Sequence, residues 1–275
     1  LNLNRTFSLG FLESVEASIF GAYRYKAWNG SLGEVDIYSA YGAYLEKGTR
    51  LDYRKLENNF LVRVGVANYR SALVNTKQIG NIFRKNIFAS LNSSLNIWQA
   101  EDVNYKTIKN LRYTPRVINP GIKLESNITT SFSSYSNGSS LSTFGIRIGP
   151  TFTIGRFIRP YLDYTKLSIK AGTKYKSGES PFEFDNPVDL TTMSISLSQQ
   201  LAGPLVLDSD LEFNLDKGSK YYGNLINSSV GLNWSRRSYD IRLFYNPYKE
   251  SGGITFRLND FDFKGVGLPF APMPR

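Results

Sequence analysis

The chain has 275 residues, with 33 Lys and Arg against 23 Asp and Glu for a net charge of +10, and it contains no His and no Cys. That excludes histidine acid–base catalysis, cysteine nucleophiles, disulfides and the usual zinc ligands. The basic residues are spread thinly and form no dense run, so no nucleic-acid partner is expected.

Tyr and Phe number 18 each, a load that suits either β-core packing or an aromatic girdle at a membrane interface. No window approaches the ~18 apolar residues of a transmembrane helix, but barrel strands are only half apolar and escape such scans. The chain opens on Leu1-Asn2-Leu3 without an initiator Met or a signal peptide, and is expected to be part of a longer precursor.

From residue 11 to 28, Val15, Ala17, Ile19, Gly21, Tyr23 and Tyr25 share one face, with charged and small polar residues largely on the other. A period of two predicts a strand. Asn29-Gly30-Ser31 supplies turn chemistry, and Val35, Ile37, Tyr41, Ala43 and Leu45 continue in phase as a second strand. Lys47 to Asn59 is polar and reads as a loop. Phe60, Val62, Val64 and Val66 mark a third strand; Ile87, Ala89, Leu91, Leu95 and Ile97 mark a fourth. Pro115 and Pro120 forbid a central paired strand over residues 100–121, which read as an irregular excursion folded against or into a barrel.

The rhythm returns with Ile122, Leu124, Ile128 and Phe132, a turn at Ser136-Asn137-Gly138, and a strand carrying Phe144, Ile146, Ile148, Phe152 and Ile154. Tyr161 to Tyr175 is a further strand, with a phase break expected near Lys166. Lys176 to Asp189 is a loop. Met193, Ile195 and Leu197 alternate with serines, and Leu205, Leu207, Leu211, Phe213 and Leu215 alternate with Asp208, Asp210, Glu212 and Asn214. Only Ala202-Gly203-Pro204 separates these two arms, so they must pair antiparallel. Two more strands follow, through Ile226 to Trp234 and Tyr239 to Tyr245. The last carries Ile254, Phe256 and Leu258, shifts phase at Asn259-Asp260, and ends on Phe261 and Phe263. About twelve strands and no helix are expected.

In the C-terminal half, short links (156–160, 202–204, 235–238) alternate with longer ones (176–189, 216–222, 246–253). Outer-membrane barrels sort their loops this way, with short periplasmic turns and long outer loops. The predicted fold is therefore an all-β antiparallel transmembrane barrel, with residues 1–275 forming one outer-membrane domain. Its Asp208, Asp210 and Glu212 make an acidic ladder. A Ca²⁺ site is one reading, but the ladder lacks the ligand-dense loop such a site needs, and a hydrated lumen wall is favoured. No catalytic, cofactor-binding or metal-ligating set emerges, so an enzyme is not expected.

Several stretches together resemble a cyanobacterial outer-membrane family similar to the lipopolysaccharide-assembly (LptD-type) barrel: YRYKAWNGSLG (23–33), LRYTP (111–115), RPYLDYT (159–165), SPFEFD (180–185), QQLAGPL (199–205), NLDKG (214–218), SRRSYDIRLFYNP (235–247) and GGITFRLNDFDFKG (252–265). The resemblance implies a barrel, the C-terminal part of a larger one, that delivers lipopolysaccharide or a related glycolipid to the outer leaflet of the cell outer membrane. It implies a lumen and a lateral seam, and as partners the glycolipid, the membrane lipids and periplasmic lipid-transport bridge proteins. The seam strand would carry Gly253, Ile254, Phe256, Leu258, Asp260, Phe261 and Phe263, with Gly252-Gly253 and the phase slip at Asn259-Asp260 weakening its pairing. The rival readings are a diffusion porin constricted by the 176–189 loop, and a soluble β-sandwich or barrel with a binding role.

Overall fold

The computed structural model describes residues 2–9, 12–74, 76, 78–101, 113, 117–236 and 238–258, and there the alternation resolves into thirteen strands. They are β1 (Asn2–Leu9), β2 (Leu12–Trp28), β3 (Glu34–Tyr53), β4 (Leu56–Ala72), β5 (Ile79–Gln99), β6 (Gly121–Tyr135) and β7 (Ser140–Gly155), then β8 (Tyr164–Gly178), β9 (Thr191–Ala202), β10 (Leu205–Asn214), β11 (Leu225–Ser235), β12 (Tyr239–Asn246) and β13 (Ser251–Leu258). Each pairs antiparallel with its neighbours in sequence, giving one continuous meander. Connections this short leave no other arrangement for most of the chain. The sheet is not closed: among the described residues, β1 bonds only to β2 and β13 only to β12. Among the described residues the one helical element is a 3-10 turn at Gly30–Leu32.

The pleat sorts side chains by parity. On one face Ile19, Tyr41, Leu45, Val64, Ile87, Phe132, Phe144, Ile146, Ile148 and Leu243 are exposed apolar residues. The other face is concave and polar: a cavity of about 590 Å³ is lined by residues from β4 through β11. Eight consecutive strands reach one cavity only if the sheet curls strongly.

Several expectations are corrected. Residues 47–59 form the β3–β4 hairpin, with Lys47 opposite Val62 and Tyr53 opposite Leu56. A ladder is held by backbone bonds and tolerates polar side chains; here Arg50 pairs with Asp52 at 2.8 Å and lies 3.6 Å from Glu57. β1 was not anticipated, because Arg5 interrupts its apolar face; it sits opposite Ala17 of β2. No phase break occurs near Lys166. β8 starts only at Tyr164 and keeps a constant register with both neighbours, and the apparent slip comes from Leu162, which lies before the strand with a left-handed φ of 47°.

The second strand does not hold one phase. Its register against β4 shifts between Ile37 and Ser39, so Val35 and Ile37 are buried while Tyr41 and Leu45 are exposed. Val15, expected on the apolar outer face with Ala17 and Ile19, is buried, beside Ser14 with its φ of 55°. Gly252 and Gly253 do not finish a loop. They lie inside β13, opposite Tyr245 and Phe244, in a run of eight pairs without a register shift. The expected slip at Asn259-Asp260, together with Asp260, Phe261 and Phe263, lies outside the described residues.

The meander puts alternate connections at opposite ends. One end, called here the strap end, carries 29–33, 73–74, 136–139, 179–190, 215–224 and 247–250; the opposite end carries 54–55, 156–163 and 203–204. The irregular excursion expected over 100–121 lies largely outside the described residues. The longest strap-end segment, 179–190, positions the site.

Candidate functional site: a polar concavity beneath a strap

Residues 179–190 fold over the mouth of the concavity. The sequence drives this through Phe182, which is fully buried on Tyr69, Tyr135 and Phe184 at centroid distances of 6.1, 6.3 and 5.1 Å, with Ile82 and Leu141 completing the cluster. Burying one such ring contributes about 1.5–3 kcal/mol. The backbone follows it in: Val74 donates to the Pro181 carbonyl at 3.0 Å and Glu183 donates to that of Ala72 at 3.3 Å. Asp185 pairs with Arg84 at 2.9 Å and accepts a hydrogen bond from the Tyr135 hydroxyl.

The far half of the strap is tied to two other elements. Asn29 of the β2–β3 turn donates to the carbonyls of Glu183 and Asn186 at 2.6 and 2.9 Å. The Asp189 carboxylate accepts from the Ser31 N–H at 2.8 Å, the Ser31 hydroxyl at 2.5 Å and the Asn214 amide at 2.5 Å. A Cβ at Gly30 would overlap that carboxylate, and its φ of +50° also favours glycine, so the turn closes on Asp189 only because residue 30 has no side chain.

The same turn meets the last hairpin. Trp28 packs edge-on against Tyr248 at 5.2 Å, and the Lys249 ammonium sits over the Trp28 ring at 4.3 Å. The Tyr248 N–H donates to the buried Ser228 hydroxyl at 3.1 Å. Partial burial, with Asp189 and Tyr221 nearby, pushes the Tyr248 phenol above its usual range. Strand β2 and the β12–β13 connection, near the two margins of the sheet, are thus in contact at the strap end.

Beneath the strap the concavity is lined by charge and amide. Arg147 of β7 hydrogen-bonds Glu212 of β10 and the Thr192 hydroxyl, the latter at 3.0 Å; Lys170 of β8 pairs with Glu125 of β6 at 2.6 Å. Asp210 and Glu212 line the cavity, while Asp208 accepts from Ser198 at 2.5 Å and from Asn233. The three acids therefore share one face of β10 without converging. Among the described residues no group of three or more His, Cys, Asp or Glu could hold a metal. A second cavity of about 260 Å³ lies between the strap residues 187–189 and Arg147, Lys174 and Glu212. Lys170 of β8 and the acids Asp210 and Glu212 of β10 flank the serines Ser194 and Ser196 of β9.

Of the expected seam residues, Gly253, Ile254, Phe256 and Leu258 lie on β13, with the three side chains exposed. Sequence reasoning did not anticipate Phe182, Asp189, Asn214 or Gln200. Gln200 is fully buried at the opposite end. It donates to the Arg159 and Gly203 carbonyls, each at 2.9 Å, and accepts from the Asp163 N–H at 2.8 Å. The runs RPYLDYT and QQLAGPL thus knit together, and SPFEFD, NLDKG and YRYKAWNGSLG meet at the strap.

The protein is in class a curled, all-antiparallel β-meander with an apolar outer face and a polar, strapped concavity. Residues 1–262 match the family described as a protein of unknown function, DUF3769, and the chain belongs to that family. No curated protein matches it.

Proposed function

We propose that this sheet is an outer-membrane β-barrel that delivers a lipopolysaccharide-type glycolipid to the outer leaflet, with membrane lipids around it and periplasmic lipid-transport bridge proteins supplying the cargo. The observation that carries the reading is the division of the sheet into an apolar convex face and a charged, amide-rich concave one. In water such an outer face would be a large unsatisfied apolar surface; in a bilayer it is solvated. Strands of up to 21 residues, as in β5, exceed the 9–11 a tilted strand needs to cross. A hydrophilic wall suits the sugar part of a glycolipid, and an unclosed margin suits lateral exit of its acyl chains.

A diffusion porin is the second reading, favoured by the strap over the lumen and the charged residues that line the cavity beneath it. Two measurements on the full-length protein separate them. Depletion in the source cell should strip glycolipid from the surface while leaving small-solute uptake unchanged. The reverse outcome, with steady ion conductance across planar bilayers, would establish the porin. Failure of the purified protein to enter lipid vesicles would overturn both.

A further inference from the structure

We infer that β13 pairs with the strap-end half of β2, and not with β1; this rests on the barrel reading above. In an antiparallel meander of thirteen strands, β1 and β13 run the same way. Joining them would insert one parallel pair, the less stable kind, into an otherwise antiparallel wall. β2 runs toward the strap end and β13 away from it, so their union is antiparallel.

The edge of β2 is divided. β1 pairs with it only as far as Phe20, and beyond that Ala22 to Trp28 bond on the β3 side alone among the described residues. Among the described residues β13 pairs with β12 alone, which leaves its outer edge open. Side chains already join the two edges at the strap end, since the Lys249 ammonium lies over the Trp28 ring at 4.3 Å and the Tyr248 ring packs beside it at 5.2 Å.

The proposed register sets Trp28 opposite Lys249. Counting five residues back from Trp28 and five forward from Lys249 places Tyr23 opposite Ile254. Both are strongly exposed, as partners on the outer face must be. The same count places Ala22 opposite Thr255 on the inner face. β13 then seals the strap-end half of the β2 edge, and β1 occupies the remainder. The seam is clasped at one end by side chains and elsewhere waits on backbone pairing.

The chain has no native cysteine, so paired cysteines test this directly in the full-length, membrane-inserted protein. Directly opposed strand residues bring their Cβ atoms to about 4.5–5.5 Å, close enough for a disulfide after small adjustment. Tyr23→Cys with Ile254→Cys, and independently Ala22→Cys with Thr255→Cys, should each give an intramolecular disulfide under mild oxidant. Leu3→Cys with Ile254→Cys should stay reduced. Cross-linking of the Leu3 pair, disulfides only between two copies, or no cross-link in protein that has folded into vesicles would each overturn the inference. Cross-linking in protein that refuses vesicles would instead sink the membrane reading and leave the pairing standing.

Discussion

Arg147 on β7 and Glu212 on β10 are hydrogen-bonded although two whole strands lie between them. In a flat sheet their backbones would be about 14 Å apart at three strand spacings, beyond comfortable reach with both side chains standing upright. The pair exists because the sheet curls, and it braces that curl from within. A double-mutant cycle with Arg147→Met and Glu212→Gln should give a coupling of about 1 kcal/mol that shrinks in 1 M salt, as expected for a partly solvated ion pair. No coupling at low salt would mean the two side chains do not meet in solution.

The outer face gives a test of solvent. Ile148 is about half exposed on it, near the middle of β7. In water, Ile148→Arg would change stability by no more than about 0.5 kcal/mol. In a bilayer near the midplane it should cost about 2–4 kcal/mol. Urea titration of protein refolded into lipid vesicles reads the difference directly.

The strap depends on one ring. Phe182→Ala removes the centre of a cluster with no solvent access, and losses of this type run to about 3–5 kcal/mol. Because the strap is a connection and not a strand, the loss should fall on its docking. Hydrogen exchange should accelerate at Val74 and Glu183, whose amides bond across the strap, while the β6–β7 ladder keeps its protection.

Orientation is testable with single cysteines. Glu179 and Tyr161 are exposed at the strap end and the opposite end respectively. Glycines 178 and 203 are poorer sites because both hold left-handed φ angles. If the strap end faces outward, Glu179→Cys should react with an impermeant thiol reagent on intact cells and Tyr161→Cys should not. The opposite pattern would invert the topology.

The strands were legible wherever one face was apolar, because alternation records burial on one side only. Where both faces are polar, as from Arg50 to Asn58, that signal vanishes and a ladder looks like a loop. Register shifts are equally silent: nothing in the letters around Tyr38 shows that β3 changes phase there. The strap site was hidden for a different reason. Ser31, Asp189 and Asn214 are ordinary polar residues in three turn-like stretches, and their meaning appears only when the curled sheet brings those stretches to one rim. The acidic ladder on β10 was visible from its spacing, but its separate partners were not.

Almost every contact in this protein joins strands adjacent in sequence, so most of the chain can assemble by adding one hairpin after another. The Ser31–Asp189 bond spans 158 residues, and it cannot form until the six strands β3 to β8 stand between its ends. Loop closure over that distance is an entropic cost met only late. The rim should therefore be the last region to set during folding, and an arrested intermediate would be a finished wall with its mouth still open.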